Sequence, residues 1–415
     1  MSFASLGLSD PLLRAVADAG YEDPTPVQIA AIPAILRGGD VWASAQTGSG
    51  KTAAFLLPLL ERLNTNRRGS PRPVRALILA PTRELVAQLA EAVRNLGCRF
   101  SEPLKTCVAI GGVSINPQMM ALRGGADLVI ATPGRLLDLA EHNAVRLGSV
   151  ETLVLDEADR LLALGFADEL ACVMTLLPDR RQNLLFSATF PAPVLALAEN
   201  LLRDPIRINV DRGATPPAHV IDQRVIEVDA ARRTMLLRHL LETNSWASAL
   251  VFVATKYATE HVAMKLVRAG IAAAPLHGDL SQGARSGAVS DLQSGRVRVL
   301  VATDLAARGL DIVQLAAVIN YDLPRSAADY VHRVGRTGRA ADTGVAISFV
   351  SAETDAHFRL IEKRHRIALE REQIPGFEPT TLALPPRDPH GGAKGKRKSK
   401  KDRLREAAAR GTALP

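Results

Sequence analysis

The sequence predicts an α/β protein with two tandem domains, each built on a parallel sheet, followed by a disordered basic C-terminal tail. Over residues 1–372, short apolar runs alternate with amphipathic helical stretches, a pattern that favours parallel strands joined by helices. A segment rich in Pro and Gly, residues 209–218, interrupts this alternation. It indicates a linker between a first domain at 1–208 and a second domain at 219–372.

The first domain opens with a helix whose ends are marked by Ser9 as N-cap, Pro11 in the first turn and Gly20 as terminator. Apolar runs then predict six strands, at 41–45, 75–80, 106–110, 127–131, 152–156 and 183–187. The second domain repeats the alternation, with strands predicted at 223–228, 248–253, 271–275, 298–302, 316–320 and 344–350.

The tail, residues 373–415, is first Pro-rich and then basic. Residues 387–415 contain ten Lys and Arg against three acidic residues, so this segment carries almost all of the net charge of +8. Its low apolar content predicts disorder. Because the two domains are nearly neutral, a nucleic-acid surface on them would be a local patch. The tail is either an RNA anchor or a solubilising charge run.

Composition narrows the class of protein. The chain is 47% hydrophobic and 23% charged, which is typical of soluble proteins. No apolar run approaches the ~20 residues of a membrane span, and the N-terminus lacks an export signal. Cys98, Cys107 and Cys172 form no CxxC pair, so we expect reduced core residues and neither a metal site nor disulfides. These features predict a cytoplasmic protein that has no membrane partner.

The most informative segment follows the predicted strand at 41–45. It consists of Ala45, Gln46, Thr47, Gly48, Ser49, Gly50, Lys51 and Thr52. The small residues at 48–50 let backbone N–H groups approach an anion closely, Lys51 supplies a charge for the outer phosphates, and Thr52 offers a hydroxyl to Mg²⁺. The segment predicts a phosphate-binding loop, although such a short pattern alone is also compatible with a surface turn.

An acidic cluster, Asp156-Glu157-Ala158-Asp159, begins 105 residues after Lys51. It follows an apolar run, so its carboxylates would emerge at the carboxyl end of a strand, where open α/β sheets bind ligands. Alone it could be a solvated helix start. Together with the phosphate-binding loop it predicts a nucleoside triphosphate site, with Thr52 and Asp156 as the groups that hold Mg²⁺.

The second domain carries a basic cluster at 330–339. Arg336 and Arg339 are three residues apart and share one face if the segment is helical. Guanidinium groups match phosphate oxygens bidentately. In isolation a solvated turn would be the simpler interpretation. With a phosphate-binding loop in the first domain, the pair predicts arginine fingers that complete the site across the cleft.

These motifs resemble those of the DEAD-box RNA helicases of superfamily 2, and within that family the bacterial RhlE type. The resemblance covers roughly residues 1–372, with the motifs in the expected order. It implies two tandem RecA-like domains, ATP and Mg²⁺ in the site, and RNA as partner of a monomeric protein. It also implies RNA-stimulated ATP hydrolysis, coupled to domain closure and to local, non-processive unwinding of short RNA duplexes or remodelling of ribonucleoproteins.

The resemblance implies roles for residues of the ATP site. In the Q-motif-like stretch at 21–28, Gln28 would bind the adenine edge and Tyr21 would stack on the ring; a Gln side chain offers both donor and acceptor. Gly309 and Asp311 would lie near the ribose. Glu157 would orient and deprotonate the attacking water. The residues expected to couple hydrolysis to strand separation are Asp159, Ser187, Thr189 and His332.

The resemblance also implies contacts with the RNA backbone from both domains. Those of the first domain would be Pro81, Thr82, Arg83, Gly111, Gly112, Thr132, Pro133, Gly134 and Arg135. Those of the second would be Thr255, Gln282, Arg285, Thr303 and Arg308. Contacts limited to phosphate and 2′-OH groups predict little sequence preference.

Three other functions compete with this one: a DNA helicase or translocase, a non-catalytic RNA clamp that uses ATP as a switch, and a basic structural protein. The sequence departs mildly from the family pattern, with Ala45 in place of the Gly that opens a general phosphate loop, Tyr21 in place of Phe, and no Arg before Thr255. The RNA itself stays open. Ribosome precursors, substrates of the RNA-decay machinery and cold-stabilised hairpins all fit.

Overall fold

The computed structural model of the protein describes residues 2–45, 49–65, 69–209, 221–307, 315–337 and 344–380. The strands of the first half are β1 Val41–Ser44, β2 Ala76–Leu79, β3 Thr106–Ala109, β4 Leu128–Ala131, β5 Thr152–Leu155, β6 Gln182–Ser187 and β7 Ile206–Asn209. Its helices are α1 Asp10–Asp18, α2 Pro26–Leu36, α3 Lys51–Thr65, α4 Arg83–Gly97, α5 Asn116–Ala121, α6 Pro133–Glu141, α7 Ala158–Ala163, α8 Ala167–Thr175 and α9 Ala192–Leu201.

The second half repeats this alternation. Its strands are β8 Ile221–Glu227, β9 Ala249–Phe252, β10 Ala273–Leu276, β11 Val299–Ala302, β12 Ala317–Asn320, β13 Gly344–Val350 and β14 Arg371–Glu372. Its helices are α10 Arg233–Thr243, α11 Lys256–Arg268, α12 Gln282–Gln293, α13 Asp304–Ala307, α14 Ala327–Val334 and α15 Asp355–His365.

The two sheets have the same topology. The described residues form one seven-stranded sheet in the order β3-β4-β2-β5-β6-β1-β7 and another in the order β10-β11-β9-β12-β13-β8-β14. Renumbering the second set from its own first strand gives the first order again, and the paired strands are parallel throughout. The predicted fold class, two tandem RecA-like domains with parallel sheets, is confirmed.

Burial on both faces explains why the strands were visible in the sequence. Every residue of β2, β4, β5 and β6 is buried, since helices cover the sheet on each side. Strands of this kind are continuous apolar runs rather than alternating ones. Separate apolar clusters fill the two helix layers of the first sheet, one around Phe55 and Phe186 and the other around Leu77 and Leu153.

The strand order separates the predicted RNA motifs from the predicted ATP motifs. In the first sheet, the predicted RNA motifs follow β2, β3 and β4, which are neighbours, and the predicted ATP motifs follow β1, β5 and β6, which are also neighbours. In the second sheet the predicted RNA residues follow β9, β10 and β11, again three neighbours. Because all these strands are parallel, the motifs meet at the carboxyl edge of each sheet.

The structure corrects several details of the sequence prediction. Strands β7 and β14 were not predicted, because β7 buries only Ile208 and β14 has two residues, so neither forms an apolar run. Asn209, assigned to the linker, ends β7 and pairs with Ser44. The rest of the predicted linker, 210–218, lies outside the described residues. The Ser9 side chain makes no capping hydrogen bond, although Ser9 does precede α1.

A second correction concerns residues 373–380, which were predicted to be disordered but pack against the second domain. Ile374 and Phe377 pack on the core of the second domain, and the Thr380 hydroxyl donates a hydrogen bond of 2.7 Å to Asp229. The guanidinium of Arg232 lies 5.4 Å from the centre of the Phe377 ring. Two apolar side chains thus anchor the segment. Residues 381–415, with the basic run, lie outside the described residues.

Two further observations concern the cysteines and membrane-spanning helices. Of the three cysteines only Cys107 is buried, so the prediction of core residues is wrong for Cys98 and Cys172; all three are free thiols. Burial raises the pKa of Cys107 to about 11, which keeps it protonated. In the part of the chain that is described, no helix combines the length and apolarity that crossing a bilayer would need.

Candidate functional site

The phosphate-binding loop joins β1 to α3. Ala45 is buried and its N–H donates to the carbonyl of Ser187 on the neighbouring strand β6, at 3.2 Å. Gln46, Thr47 and Gly48 lie outside the described residues. Gly50 has φ +90°, and a Cβ atom there would come within 2.5 Å of the Gln28 amide, so only glycine fits. Helix α3 begins at Lys51, which places Thr52 in its first turn, where the free N–H groups favour an anion.

Lys51 and Asp156 form the charged centre of the site. Both are buried, at 7% and 3% exposure, and the ammonium of Lys51 has no hydrogen-bond partner among the described residues. Burial raises the pKa of Asp156 to about 7; Glu157 and Asp159 also raise it, while Lys51 and the N–H of Glu157 lower it. A buried ammonium without a partner, beside a carboxylate that is costly to ionise, fits a phosphate and a divalent cation.

The donor set suits Mg²⁺. Within the described ranges, no group of three or more His, Cys, Asp or Glu side chains is arranged to hold a metal. Mg²⁺ is usually held by one or two carboxylates together with water and substrate phosphates. Asp156 and the hydroxyl of Thr52 are oxygen donors of the required kind, at the carboxyl end of β5 and the start of α3.

Glu157 sits in a sharp turn. Its backbone is left-handed, with φ 50° and ψ 52°, and it precedes α7. This conformation costs a non-glycine residue on the order of 1–3 kcal/mol. The Glu157 carboxylate is nearly buried and accepts a hydrogen bond of 3.0 Å from Arg160. The turn and the ion pair together fix a carboxylate beside Asp156.

The Q-motif residue Gln28 is fastened to the phosphate-binding loop. Its amide oxygen accepts a hydrogen bond from the N–H of Thr25 at 2.9 Å, and its amide nitrogen donates to the carbonyl of Gly50 at 3.1 Å. One amide hydrogen and one oxygen lone pair are left for a ligand. Tyr21 is 42% exposed and its ring stacks on Phe3, with centroids 6.4 Å apart. Of the predicted adenine-binding pair, Gln28 therefore borders the loop.

Asp159 connects α7 to the end of β6. Its carboxylate accepts hydrogen bonds from the hydroxyl of Thr189 at 2.7 Å and from the N–H of Thr189 at 3.1 Å. The N–H of Asp159 donates to the hydroxyl of Ser187 at 3.2 Å, and that hydroxyl donates to the Thr189 carbonyl at 2.7 Å. The sequence predicted the partnership of these three residues, and the structure brings them into one network.

His332 brings the second domain to this network. Burial lowers the pKa of His332 to about 4; the charge of Arg160 lowers it further, while those of Asp159 and Glu157 oppose this effect. These three charged residues belong to the first domain. Arg336 is buried in the same region. Helix α14 ends at Val334, so the basic cluster is not helical at Arg336, which lies after the C-cap Gly335. Arg339, Gly309 and Asp311 lie outside the described residues.

In the first domain, the residues predicted to contact RNA line the carboxyl ends of β2, β3 and β4. Gly112 has φ +72°, and the Arg83 guanidinium occupies the space that a Cβ there would fill. The Thr82 hydroxyl caps α4 by accepting from the N–H of Leu85. Arg135 is 9% exposed, and one of its terminal nitrogens donates to the carbonyl of Val113 at 3.0 Å. The other has no partner among the residues described. Gly111, Thr132, Pro133 and Gly134 complete these turns, and Pro81 begins the one after β2.

In the second domain, Thr255 caps α11 by accepting from the N–H of Ala258, and the N–H of Thr303 donates to Leu276 at 3.2 Å. Arg285 lies 2.8 Å from Glu84 of the first domain, and both side chains are buried. The amide oxygen of Gln282 is buried without a partner in the described part of the chain. Arg308 lies outside that part.

The comparisons with known proteins agree with this geometry. Residues 25–197 match the model of the DEAD/DEAH box helicase family, and residues 232–341 match that of the helicase conserved C-terminal domain. The chain is 40% identical over 378 residues to the DEAD-box ATP-dependent RNA helicase CshA of Bacillus cereus, across 91% of this chain and 70% of the relative. The chain belongs to the DEAD-box helicase family.

Two more comparisons extend this result. The ATP-dependent RNA helicase DeaD of Mycobacterium tuberculosis is 42% identical over 377 residues, across 91% of this chain and 66% of the relative. The chain thus spans just under two thirds of that DEAD-box protein's length. The solved structure of Saccharomyces cerevisiae Dbp5 bound to RNA and ADP-BeF3 has a TM-score of 0.79 and 31% identity, over 90% of this chain and 95% of that one. The finer assignment to the RhlE type stays a prediction.

Sequence reasoning missed one residue that positions the second half of the DEAD-box site. Arg333 is 2% exposed and donates to both carboxylate oxygens of Asp304, at 2.6 and 2.7 Å. It also donates to Asn320 at 3.0 Å and lies over the Phe252 ring at 4.7 Å. Arg333 therefore ties α14 to the carboxyl ends of β9, β11 and β12. The sequence did hold a signal for Arg333, because it lies between His332 and Arg336, two residues that were predicted to act at the site.

Two other residues were missed in the first domain, Arg160 and Glu84. Arg160 holds the carboxylate of Glu157, and Glu84 holds Arg285. Glu84 belongs to the stretch 81–85, which was interpreted for its RNA contacts only. Glu84 is buried by its contact with the distant Arg285, which no local pattern announces. Arg160 lies three residues after Glu157, and this spacing was the signal available in the sequence.

A cavity in the first domain lies away from these residues. It has a volume of about 770 Å³ and is bordered by Arg72, Met119, Arg123 and Val145, among others, none of them a predicted site residue. Residues 71–74 and 124–125 precede β2 and β4, so this cavity opens at the amino edge of the first sheet. The chemistry at the carboxyl edge, with its buried Lys51 and Asp156, identifies the site better than the presence of a cavity does.

Proposed function

We propose that the protein is an ATP-dependent RNA helicase, in which RNA stimulates ATP hydrolysis and hydrolysis is coupled to closure of the two domains. The observation that carries the proposal is the position of His332, a half-buried second-domain residue that lies within the electrostatic influence of Arg160, Asp159 and Glu157 of the first domain. A site assembled from two domains is active only while they are together. Anything that draws them together, such as an RNA strand held by both, therefore activates it.

Lys51 and the N–H groups at the start of α3 bind the outer phosphates of ATP. The buried ammonium of Lys51 is already desolvated, so its attraction to a phosphate is stronger than in water. Gln28 uses its remaining donor and acceptor for the adenine edge, and Tyr21 supplies the stacking surface. Because Gln28 is bonded to Gly50, recognition of the base sets the position of the phosphate-binding loop.

Asp156 and Thr52 would hold Mg²⁺, which supplies positive charge to the phosphate oxygens. Glu157 accepts a proton from the attacking water, and Arg160 keeps that carboxylate oriented. Arg336 places its positive charge where negative charge accumulates on the departing phosphate. Removal of the second domain would remove this charge and stop hydrolysis.

RNA runs along the carboxyl edges of both sheets. Arg83 and Arg135 hold phosphates on the first domain, and Thr255 and Thr303 contact the backbone on the second. The similar structure of Dbp5, which is bound to RNA and ADP-BeF3, supports RNA as the ligand. One closure bends only the few nucleotides under both domains, so each cycle separates a short duplex locally instead of moving along a long one. Release of phosphate then lets the domains part.

We also propose that the protein acts as a cytoplasmic monomer, with ribosome precursors or substrates of the RNA-decay machinery as its RNA. The contacts proposed for the described residues go to the RNA backbone, so the choice of RNA would come from shape or from the tail rather than from base sequence.

The test is ATP hydrolysis by the purified protein without nucleic acid, with RNA and with DNA of the same sequence. We expect RNA alone to stimulate turnover. Equal rates without RNA would contradict the proposal, and equal stimulation by DNA would favour a DNA helicase.

A second test uses substitutions. Glu157→Gln should retain ATP and RNA binding but lose ATP turnover. Glu199→Gln, on the exposed face of α9, is the control and should keep normal turnover. Normal turnover by Glu157→Gln would remove that residue from its proposed role.

A further inference from the structure

A stacked aromatic pair lies at the start of α11, directly beyond Thr255. The side chain of Tyr257 is 76% exposed, the highest value among the large hydrophobic side chains of the described residues. Its ring lies nearly parallel to that of His261, with centroids 5.6 Å apart and an interplanar angle of 15°. One face of the Tyr257 ring is therefore covered by His261, and the other is open to solvent.

The stacking prepares Tyr257 for a planar ligand. Residues four apart on a helix are neighbours, so His261 holds the tyrosine ring in one orientation. The entropy lost when a ligand fixes the ring is correspondingly small. The Tyr257 hydroxyl makes no hydrogen bond within the described part of the chain, so no polar contact accounts for an exposed ring at this position.

The helix that carries Tyr257 is basic. Helix α11 carries Lys256, Lys265 and Arg268 against a single acid, Glu260. Glu260 is paired with His277 at 2.7 Å, and Lys256 with Asp279. Lys265 and Arg268 are exposed and form no ion pair with described residues. At 1.5 Å of helix per residue, these two cations lie about 12 and 17 Å along α11 from Tyr257. A helix that presents an exposed aromatic ring at one end and unpaired cations at the other is complementary to single-stranded nucleic acid, which offers bases and phosphates together.

We infer that Tyr257, backed by His261, is a stacking platform for one unpaired base of the RNA strand. The inference rests on the proposed function, because it extends the path of that RNA past Thr255. Stacking accepts any base, since every base has a flat face, so the platform adds affinity without sequence preference. A base that lies on Tyr257 is unavailable for pairing. The platform therefore selects RNA with a single-stranded flank over a blunt duplex.

The first experiment locates the base. Single-stranded RNA carrying one 5-iodouridine, moved through the sequence position by position, is irradiated on the full chain with a non-hydrolysable ATP analogue. We expect one position to give a crosslink to Tyr257 that mass spectrometry identifies. Crosslinks that avoid Tyr257 at every position would overturn the inference.

The second experiment measures stacking. Tyr257→Ala should weaken binding of this RNA at least about fivefold, the lower end of what one stacked base contributes, and Tyr257→Phe should keep the affinity. Met235→Ala, which shortens a 61% exposed side chain on neighbouring α10, is the matched control and should bind normally. Unfolding temperatures of all variants show whether the fold is intact.

The third experiment separates stacking from other effects of the substitution. An abasic nucleotide at the crosslinked position should weaken binding to the wild-type protein and have no further effect on Tyr257→Ala. Independent, additive losses would overturn the inference, as would a Phe variant as weak as the Ala variant; a protein partner would then be the better occupant. In those cases RNA-stimulated hydrolysis by the wild type would persist, and the proposed function would stand. Loss of that stimulation in the wild type would count against the proposed function itself.

Discussion

The carboxylate of Glu84, at the start of α4, lies 2.8 Å from the guanidinium of Arg285, at the start of α12, and both side chains are 8% exposed. The two residues belong to different domains. A buried charge that loses its partner is costly, but water can reach either charge once the domains part. The pair therefore favours the joined arrangement rather than the folding of either domain.

Glu84→Ala should lower RNA-stimulated ATP hydrolysis at least about tenfold, or ~1.4 kcal/mol. This is less than the ~3–5 kcal/mol for a fully enclosed pair, because separation rehydrates Arg285. Exchanging the charges, Glu84→Arg with Arg285→Glu, should recover part of the loss. Glu151→Ala breaks a pair within one domain, with Arg75 at 3.1 Å, and should leave stimulation intact. Unaltered stimulation in Glu84→Ala would refute the coupling.

Gly50→Ala should weaken ATP binding at least about tenfold, since a side chain at φ +90° is strained and its Cβ would displace Gln28. Binding of a fluorescent ATP analogue measures the effect. Gly148→Ala is the control, because a Cβ at Gly148 meets nothing within 4 Å. If both variants bind alike, the contact between Gln28 and Gly50 does not position the loop.

Arg333→Ala should destabilise the second domain by about 3 kcal/mol, because it leaves Asp304 without its partner and empties a buried position. Urea unfolding, followed by circular dichroism, measures this change. Arg296→Ala removes an exposed pair with Asp291 and should cost less than about 1 kcal/mol. Equal losses in the two variants would show that Arg333 is not an organising residue.

His332 should make stability depend on pH between its ordinary pKa of about 6.5 and its lowered pKa of about 4. In this window the unfolded chain binds a proton that the folded chain does not, so stability falls as pH falls, by at most ~1.4 kcal/mol per pH unit. Thermal unfolding of His332→Gln should be less sensitive to pH there than that of the wild type. The control is His142→Gln, which replaces an exposed histidine. If the stability of His332→Gln depended on pH in the same way as that of the wild type, the assignment would be wrong.

Deletion of residues 387–415 should weaken RNA binding and flatten its salt dependence, because ten Lys and Arg are removed. For single strands, the slope of log K against log salt falls by ~0.7 for each RNA phosphate that the protein no longer neutralises. Hydrolysis without RNA should be unaffected. A slope that does not change would leave the tail a solubilising role only.

Much of the fold was predictable because the central strands are buried on both faces and therefore stand out as apolar runs. Edge strand β7 escaped prediction since only Ile208 of its four residues is buried. The segment at 373–380 escaped because two side chains, Ile374 and Phe377, hold it, and its Pro-rich surroundings suggested disorder. Both failures concern segments whose structure depends on distant partners.

The sequence by itself determined the two domains, the strands that carry the motifs, and the chemistry of the phosphate-binding loop and the acidic cluster. These are local properties, set by apolar periodicity and by residue types at fixed spacing. Only the tertiary structure decided that three neighbouring strands carry the RNA motifs and three others the ATP motifs. It alone joined Glu84 to Arg285 and Arg333 to Asp304. Such pairings depend on which remote segments the packing of the sheets brings together, and no local pattern encodes them.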